Sequence, residues 1–125
     1  MPVPRIAKED LKQRLESADP ASVPVILDVR LKYPYEHSGL RLPGAVRMPP
    51  DALDVSRIPR GREVIAYDSD LDELISVRVA AELIRQGYQA GALKGGIGDW
   101  IGANYPVEPK ETSKPAPPAA GEPRA

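Results

Sequence analysis

Short apolar runs alternate with amphipathic stretches along this chain, and the alternation limits the fold more than any other feature. The apolar runs have the length and bounding residues of strands, and they lie at residues 25–29, 45–48, 63–67 and 90–93. Apolar residues recurring every three to four positions predict helices at residues 8–17, 76–86 and 97–103. Gly87 stands just beyond the second helix, where a C′ glycine is expected. Helices that alternate with buried strands are typical of an α/β layer structure.

The length of the chain permits one folded domain. With 125 residues, of which 42% are apolar, it can bury one ordinary core but not two. We predict that residues 1–109 form this domain. Residues 110–125 are rich in Pro and Ala and contain no large apolar residue, so we expect a disordered tail there.

Charge and cysteine content exclude several classes of function. The formal net charge is −1, so no overall field attracts nucleic acid or an anionic membrane. No signal-like segment opens the sequence, and no apolar run approaches the roughly 20 residues that span a bilayer. We therefore expect a cytoplasmic protein without membrane insertion. The chain has no cysteine, which excludes disulfides, thiolate metal sites and a cysteine nucleophile.

Four short patterns occur in a set order between residues 5 and 109. They are Leu-Asp-Val-Arg at 27–30, Leu-Pro-Gly-Ala at 42–45, Arg-Gln-Gly-Tyr at 85–88, and Leu-Lys-Gly-Gly-Ile-x-x-Trp at 93–100. Each is common by itself. In this order and spacing they resemble the rhodanese-like family. The resemblance implies a central, mostly parallel five-stranded sheet flanked by helices, with an active loop after the strand that ends at Tyr67.

In active members of that family the first residue of the active loop is a cysteine, and backbone amides of the loop stabilise its thiolate and then its persulfide. Residues 68–80 are most similar to a group with a longer loop, which begins Cys-x-Cys and ends Ser-x-Arg-Val-Ala. Here both cysteine positions are aspartates, at positions 68 and 70. The resemblance implies that the loop comprises Asp68, Ser69, Asp70, Leu71, Asp72, Glu73, Leu74, Ile75 and Ser76.

The aspartate at position 68 decides what we expect of the function. Rhodanese turnover needs a polarisable thiolate that attacks a sulfane sulfur and holds it as an S–S bond, which a carboxylate oxygen cannot do. We therefore predict a catalytically inactive rhodanese-homology domain without a cofactor, a binding or regulatory module for a protein or a small anion. Its recognition element would be the loop at 68–75. The alternatives are a sulfurtransferase-related enzyme that works with a partner's cysteine and an Asp-based, phosphatase-like enzyme.

The acidic cluster at Asp68, Asp70, Asp72 and Glu73 has four interpretations. Asp70 and Glu73 have the spacing of a capping box, in which case the cluster only begins a helix. Asp68 can instead act as a built-in anion that the backbone amides of the loop hold. The alternating aspartates also suggest a Ca²⁺ or Mg²⁺ loop, but Glu73 and Val79 stand where the EF-hand pattern has Gly and Glu, so we predict no metal site. Finally, a strand followed by Asp-x-Asp resembles the first motif of haloacid-dehalogenase-type phosphatases, although the Gly-Gly-x-x-x-Trp segment fits the rhodanese-like family.

Other polar residues have supporting roles in this interpretation. The resemblance places Asp28 and Arg30 in the wall and ionic support behind the active loop. Arg41 and Arg78 are candidates for the same support, and Arg41 stands where many family members have histidine. The single histidine falls in a predicted surface loop at 32–41 and has no partner for a catalytic dyad, and the single tryptophan is expected in the core.

Overall fold

The computed structural model describes residues 3–17, 19, 23–69 and 73–109. In chain order its elements are β1 (Arg5–Ile6), α1 (Lys8–Leu15), β2 (Val25–Asp28), α2 (Lys32–His37), β3 (Leu40–Arg41), β4 (Val46–Arg47), β5 (Glu63–Tyr67), α3 (Leu74–Arg85), β6 (Gln89–Leu93), α4 (Gly96–Gly102) and β7 (Glu108–Pro109). A single 3-10 turn, Val55–Arg57, lies between β4 and β5. The predicted tail at 110–125 lies outside the described residues. No described helix is long and apolar enough to cross a membrane.

Five strands form one parallel sheet in the order β1-β6-β5-β2-β4. Strands β3 and β7 form a separate antiparallel pair, with Leu40 opposite Pro109. Parallel neighbours need long crossover connections, and helices supply several of them here. The predicted fold class, a five-stranded parallel sheet flanked by helices, is confirmed. The sheet brings the carboxyl ends of β2, β4 and β5 to one edge, which is where ligands of open α/β sheets bind.

The sheet separates two apolar clusters because the side chains of a strand alternate between its two faces. In β5, Val64 and Ala66 pack in the cluster that contains the buried side of α3. Ile65 and Tyr67 pack in the cluster that contains residues of α1 and α4, among them Trp100, which is fully buried as predicted. Strand β5 is therefore buried on both faces, which holds its carboxyl end firmly in place.

Most predicted elements are present, and their ends differ from the predicted ones by at most two residues. The largest differences are at α1, which ends at Leu15, and at α3, which begins at Leu74. Gly87 follows the C-cap of α3 with a φ of 96°, as its placement in the sequence predicts. A left-handed backbone of this kind suits glycine because it has no Cβ.

The prediction of a surface loop at residues 32–41 is wrong. Its first part forms α2, and its last two residues form β3. Pro34 lies in the first turn of α2, where a helix does not need the N–H that proline lacks. His37 is therefore the last residue of an exposed helix, and its Nδ1 lies 2.9 Å from the carbonyl oxygen of Tyr33. Strand β1 was not predicted either, because two residues are too few to show a strand pattern.

Candidate functional site

Asp68 directly follows β5 and is 1% exposed. Its Oδ2 accepts hydrogen bonds from the backbone N–H of Ile75 at 3.1 Å and of Ser76 at 2.8 Å. These two N–H groups, which we call the amide cradle, belong to the second and third residues of α3. The first N–H groups of a helix have no partner within it, and a carboxylate is also favoured there by the helix dipole. Asp68 therefore caps α3 from the end of the preceding strand.

Glu73 is the loop residue that immediately precedes α3. It is the N-cap of α3 and has a left-handed backbone with a φ of 60°. Its carboxylate accepts hydrogen bonds from Arg5, from Nε at 2.5 Å and from Nη2 at 2.9 Å, and from the N–H of Gly95 at 3.1 Å. The Arg5 guanidinium holds the pKa of the Glu73 carboxyl below its usual range. Glu73 thus joins the start of α3 to β1 and to the turn before α4.

Two further hydrogen bonds fix the backbone around Asp68 and Glu73. The N–H of Ile97, in α4, donates to the carbonyl oxygen of Asp68 at 2.9 Å. The buried hydroxyl of Ser76 donates to the carbonyl oxygen of Glu73 at 3.3 Å. The described ends of the loop are consequently tied to β1, α3 and α4.

The capping-box interpretation of Asp70 and Glu73 is wrong. Glu73 is the residue before α3 rather than its third residue, and its carboxylate binds Arg5 instead of turning back along the chain. The N–H groups at the actual start of α3, those of Ile75 and Ser76, are bound by Asp68. Asp70, Leu71 and Asp72 lie outside the described residues. The interpretation of the alternating aspartates as a Ca²⁺ or Mg²⁺ loop therefore stays a hypothesis.

The described loop residues differ sharply in exposure. Asp68, Glu73 and Ser76 are buried, so their side chains hold the loop and cannot contact a partner directly. Ser69 is exposed, and Leu74 has 65% of its surface open to solvent. Ile75 is half-buried. Among the described loop residues, a second molecule can therefore contact Ser69, Leu74 and the exposed part of Ile75.

Asp28 and Arg30 form a buried ion pair at the carboxyl end of β2, each with 1% exposure. Nε and Nη2 of Arg30 donate to the two carboxylate oxygens of Asp28 at 2.9 and 2.6 Å. Arg30 also donates to the carbonyl oxygen of Leu40, which attaches β3 to this end of the sheet. A buried guanidinium needs such a bidentate partner because an unpaired charge in the interior is strongly destabilising.

Tyr67 links this ion pair to the loop. It pairs in register with Asp28 across β5 and β2, its ring centroid lies 5.7 Å from the Arg30 guanidinium, and it immediately precedes Asp68. The N–H of Leu42 donates to its hydroxyl oxygen at 3.3 Å. Burial raises the pKa of Tyr67 well above its usual range, and the nearby Asp28 carboxylate adds to the rise. The ion pair and the tyrosine together form a rigid layer behind the strand end that carries Asp68.

Arg41 and Arg78 make no hydrogen bond or ion pair with the described loop residues. Nη1 of Arg41 donates to the carbonyl oxygen of Ala45 at 3.0 Å, and its Nη2 lies 3.2 Å from a carboxylate oxygen of Glu108. Arg78 is exposed on α3. The structure therefore pairs Asp28 with the strand end that precedes the loop, whereas no hydrogen bond or ion pair to the described loop residues supports the predicted role of these two arginines.

Sequence reasoning missed Arg5 and Gly95, the partners of Glu73. Arg5 is 68 positions from Glu73, and no local pattern signals a pairing over that distance. Gly95 belongs to the Gly-Gly segment that carried the family resemblance, but nothing in the segment shows which side chain its N–H binds. Among the residues that the structure describes, no group of three or more His, Asp or Glu side chains is placed to hold a metal ion.

The parallel sheet and the buried anion held by helix-start amides define an α/β domain whose candidate site follows a central strand. The model of the rhodanese-like domain family matches residues 7–103. The chain therefore belongs to the rhodanese-like domain family, as its sequence patterns indicate.

Several solved structures share the fold. The Alr3790 protein from Anabaena sp. is 28% identical, with a TM-score of 0.69 over 83% of this chain and 82% of that chain. A rhodanese-related protein from Thermoplasma volcanium is 19% identical, with a TM-score of 0.65 over 83% of this chain and 96% of that chain. A Rhodopseudomonas palustris protein described as a possible tyrosine phosphatase is 19% identical, with a TM-score of 0.70 over 85% of both chains. The latter two similarities show the fold alone. None of the curated proteins compared with the chain matches it.

Proposed function

We propose that this rhodanese-like domain is a catalytically inactive binding or regulatory module. The observation that carries the proposal is the occupation of the amide cradle by the buried Asp68 carboxylate. In active relatives, loop amides of this kind stabilise a thiolate and then a persulfide. Here a carboxylate that belongs to the chain holds the same kind of position, so the N–H groups of Ile75 and Ser76 have an acceptor without a substrate.

The loop has no side chain that could hold a sulfur atom during sulfur transfer. The chain contains no cysteine at any position, so no thiolate is available to attack a sulfane sulfur. The Asp68 carboxylate cannot take that role because it is a hard oxygen nucleophile that forms no stable bond to sulfane sulfur. The domain fold is therefore retained without the residue that performs the family's chemistry.

The two enzymatic alternatives both need an accessible cradle. A partner's cysteine would have to bring its thiolate to N–H groups that already bind Asp68. A phosphatase-like reaction would need an aspartate oxygen that reaches phosphorus, but Asp68 is 1% exposed and its Oδ2 accepts both hydrogen bonds. Each alternative requires the loop to lose contacts that stabilise it, and this cost favours the inactive module.

A protein partner fits the loop better than a small anion does. A small anion would compete with Asp68 for the cradle and would be repelled by its charge. Leu74 instead exposes 65% of its surface beside the fixed start of α3, and Ser69 adds an exposed hydroxyl. A protein partner can bury such a leucine, which contributes about 1.5–3 kcal/mol when it is fully buried, whereas a small anion cannot. We therefore assign partner recognition to the outward side of the loop at 68–75.

We also propose residue 109, at the end of β7, as the boundary between domain and tail.

The inactive assignment is tested by two assays on the full chain. Wild type, Asp68→Ala and Asp68→Cys are compared for thiocyanate formation from thiosulfate and cyanide, and for hydrolysis of p-nitrophenyl phosphate with Mg²⁺. We expect no turnover by wild type or Asp68→Ala, and a persulfide mass shift on Asp68→Cys under excess thiosulfate. Turnover by wild type that Asp68→Ala abolishes would contradict the proposal. A folded Asp68→Cys variant that never gains the mass shift would show that the cradle is not built for sulfur.

The binding assignment is tested by the same leucine-to-serine substitution at two exposed positions, one in the loop and one outside it. Leu74→Ser removes the exposed leucine of the loop, and Leu31→Ser removes a leucine with 50% exposure at the start of α2. Binding partners captured by wild type are purified and titrated against both variants. We expect Leu74→Ser to weaken binding at least about tenfold, which is the effect of losing one buried leucine contact, and Leu31→Ser to leave it unchanged. Equal binding by all three proteins would exclude the loop as the recognition element.

A further inference from the structure

We propose that a cavity beside β4 binds a phosphate group, as the free ion or as a monoester. The cavity, which we call the β4 pocket, has a volume of about 490 Å³, and its lining includes Tyr35, Asp28 and three arginines, Arg41, Arg47 and Arg57. Pockets for small molecules have volumes of roughly 300–1,000 Å³. This inference does not depend on the function proposed for the loop, since the pocket contains none of the loop residues. Strands β4 and β5 lie about 10 Å apart in the sheet, and Asp28 of β2 lies between them.

Arg47 and Arg57 offer hydrogen-bond donors to the β4 pocket. Arg47 donates hydrogen bonds to described residues through Nη1 only. This atom binds the carbonyl oxygens of Asp28 and Arg30 at 3.2 and 2.6 Å. Its guanidinium carbon lies 4.0 Å from the ring centroid of Tyr35, which orients the group. Nη1 of the exposed Arg57 donates to the carbonyl oxygen of Arg47 at 3.3 Å, which brings the two arginines together.

Arg41 contributes the third guanidinium. Its Nη1 and Nη2 are held by Ala45 and Glu108, as described above. Its Nε is buried and has no hydrogen-bond partner among the described residues. A buried N–H without an acceptor is destabilising by about 1–3 kcal/mol. Because Nε is buried, Arg41 contributes its positive charge to the pocket rather than an open donor.

The charge around the β4 pocket favours an anion. Asp28 is the one carboxylate among the described lining residues, and both of its oxygens already accept hydrogen bonds from the buried Arg30. The carboxylate of Glu108 pairs with Arg41 and with no other arginine of the described lining. Nη1 of Arg47 lies 3.7 Å from Oδ1 of Asp28, so Arg30 and Arg47 share this carboxylate. Arg30, Arg41, Arg47 and Arg57 together outnumber the carboxylates of Asp28 and Glu108, so the cavity keeps a net positive charge. Arginine forks match the geometry of phosphate oxygens and bind them through paired, charge-assisted hydrogen bonds. A carboxylate would fill less of the cavity and use fewer of these donors.

The test is a titration of the ¹⁵N-labelled full chain with inorganic phosphate and with phenyl phosphate at constant ionic strength. We expect saturable shifts of the Val46 and Arg47 amides and of arginine Nε–H signals in wild type. Arg57→Gln removes an exposed lining arginine and should weaken binding by roughly tenfold, whereas Arg60→Gln, an exposed arginine outside the lining, should leave it unchanged. Tighter binding of phenyl phosphate would identify a monoester as the ligand, and equal affinities would identify the free ion.

Three results would overturn the proposal. One is the absence of saturable shifts with either probe. Another is an equal loss in Arg57→Gln and Arg60→Gln, since this would indicate attraction by general charge rather than a site. The last is a response confined to the amides of Ile75 and Ser76, which would place the anion in the cradle. In that case Asp68→Ala should strengthen binding, whereas a response from the β4 pocket should not change in that variant.

Discussion

The guanidinium of Arg5 holds the carboxylate of Glu73 across 68 positions of sequence. Arg5 lies in β1, the outermost strand next to β6, and Glu73 is the residue from which α3 starts. The side chain of Arg5 is 50% exposed, whereas that of Glu73 is 3% exposed. A short edge strand therefore fixes a buried carboxylate at the end of the candidate recognition loop.

The first prediction concerns pH and this ion pair. Because Arg5 lowers the pKa of Glu73 in the folded state, the contribution of the pair is complete above the ordinary value of 4.5 and is lost as pH falls through the lowered value. Arg5→Gln should therefore be less stable than wild type at neutral pH, with a difference that shrinks in acid. Urea unfolding at several pH values from 7 downward measures this. Arg60→Gln is the control, since its Nη1 binds a backbone carbonyl and its difference from wild type should not depend on pH. A constant difference for Arg5→Gln would contradict the prediction.

The second prediction concerns Asp68 as a helix cap. Asp68→Ala leaves the N–H groups of Ile75 and Ser76 without an acceptor and should lower the free energy of unfolding by about 1–2 kcal/mol. Asp68→Asn keeps one side-chain oxygen and should lose less. Asp54→Ala, which removes an exposed cap at the 3-10 turn, is a matched control with a smaller expected loss. If Asp68→Ala were more stable than wild type, Asp68 would be a residue kept for activity at the expense of stability.

The third prediction concerns the buried pair of Asp28 and Arg30. Asp28→Asn should destabilise the domain by about 3–5 kcal/mol, because it leaves a buried guanidinium without its anion. The double variant Asp28→Asn/Arg30→Met should recover much of that loss, since it removes the unpaired charge and keeps the volume. Chemical denaturation of the two variants and wild type gives the comparison. A double variant no more stable than Asp28→Asn would show that Arg30 is needed for its bond to Leu40 instead.

The fourth prediction concerns the contact between β6 and the chain entering β1. A Cβ at Gly91 would lie 2.9 Å from the carbonyl oxygen of Pro4, so Gly91→Ala should push β1 outward at a cost of about 1–3 kcal/mol. The N–H of Ala92, which donates to that oxygen, should then exchange faster with solvent. Gly98→Ala is the control, because its Cβ would meet nothing within 4 Å and alanine favours the helix. Unchanged exchange in Gly91→Ala would contradict the close approach.

The elements that could be predicted from the sequence are those with a periodic pattern of their own. Strand β5 and helix α3 show clear apolar periodicity, and Gly87 marks the helix end, so their positions follow from local chemistry. Helix α2 was missed because its six residues, with Pro34 among them, show no apolar face. Strand β1 was missed because it consists of two residues and is stabilised by pairing with β6 rather than by its own pattern.

The candidate site was only partly predictable for a related reason. The order of motifs placed Asp68 after a buried strand, and its chemistry suggested an anion in contact with amides. The role of Glu73 could not be read locally, because the spacing to Asp70 mimics a capping box while the actual partners are Arg5 and Gly95. Long-range contacts of this kind depend on the sheet order, which no segment encodes by itself.

Asp68 and Glu73 are both anchored, the first by the amides of α3 and the second by Arg5, and they bracket residues 70–72. Extra residues between two fixed ends add little to the entropy of closing a loop, about 0.6 kcal/mol for each doubling of its length. Foreign peptides inserted between Ser69 and Glu73 should consequently leave the domain folded. The domain is thus a natural scaffold for displaying short binding sequences.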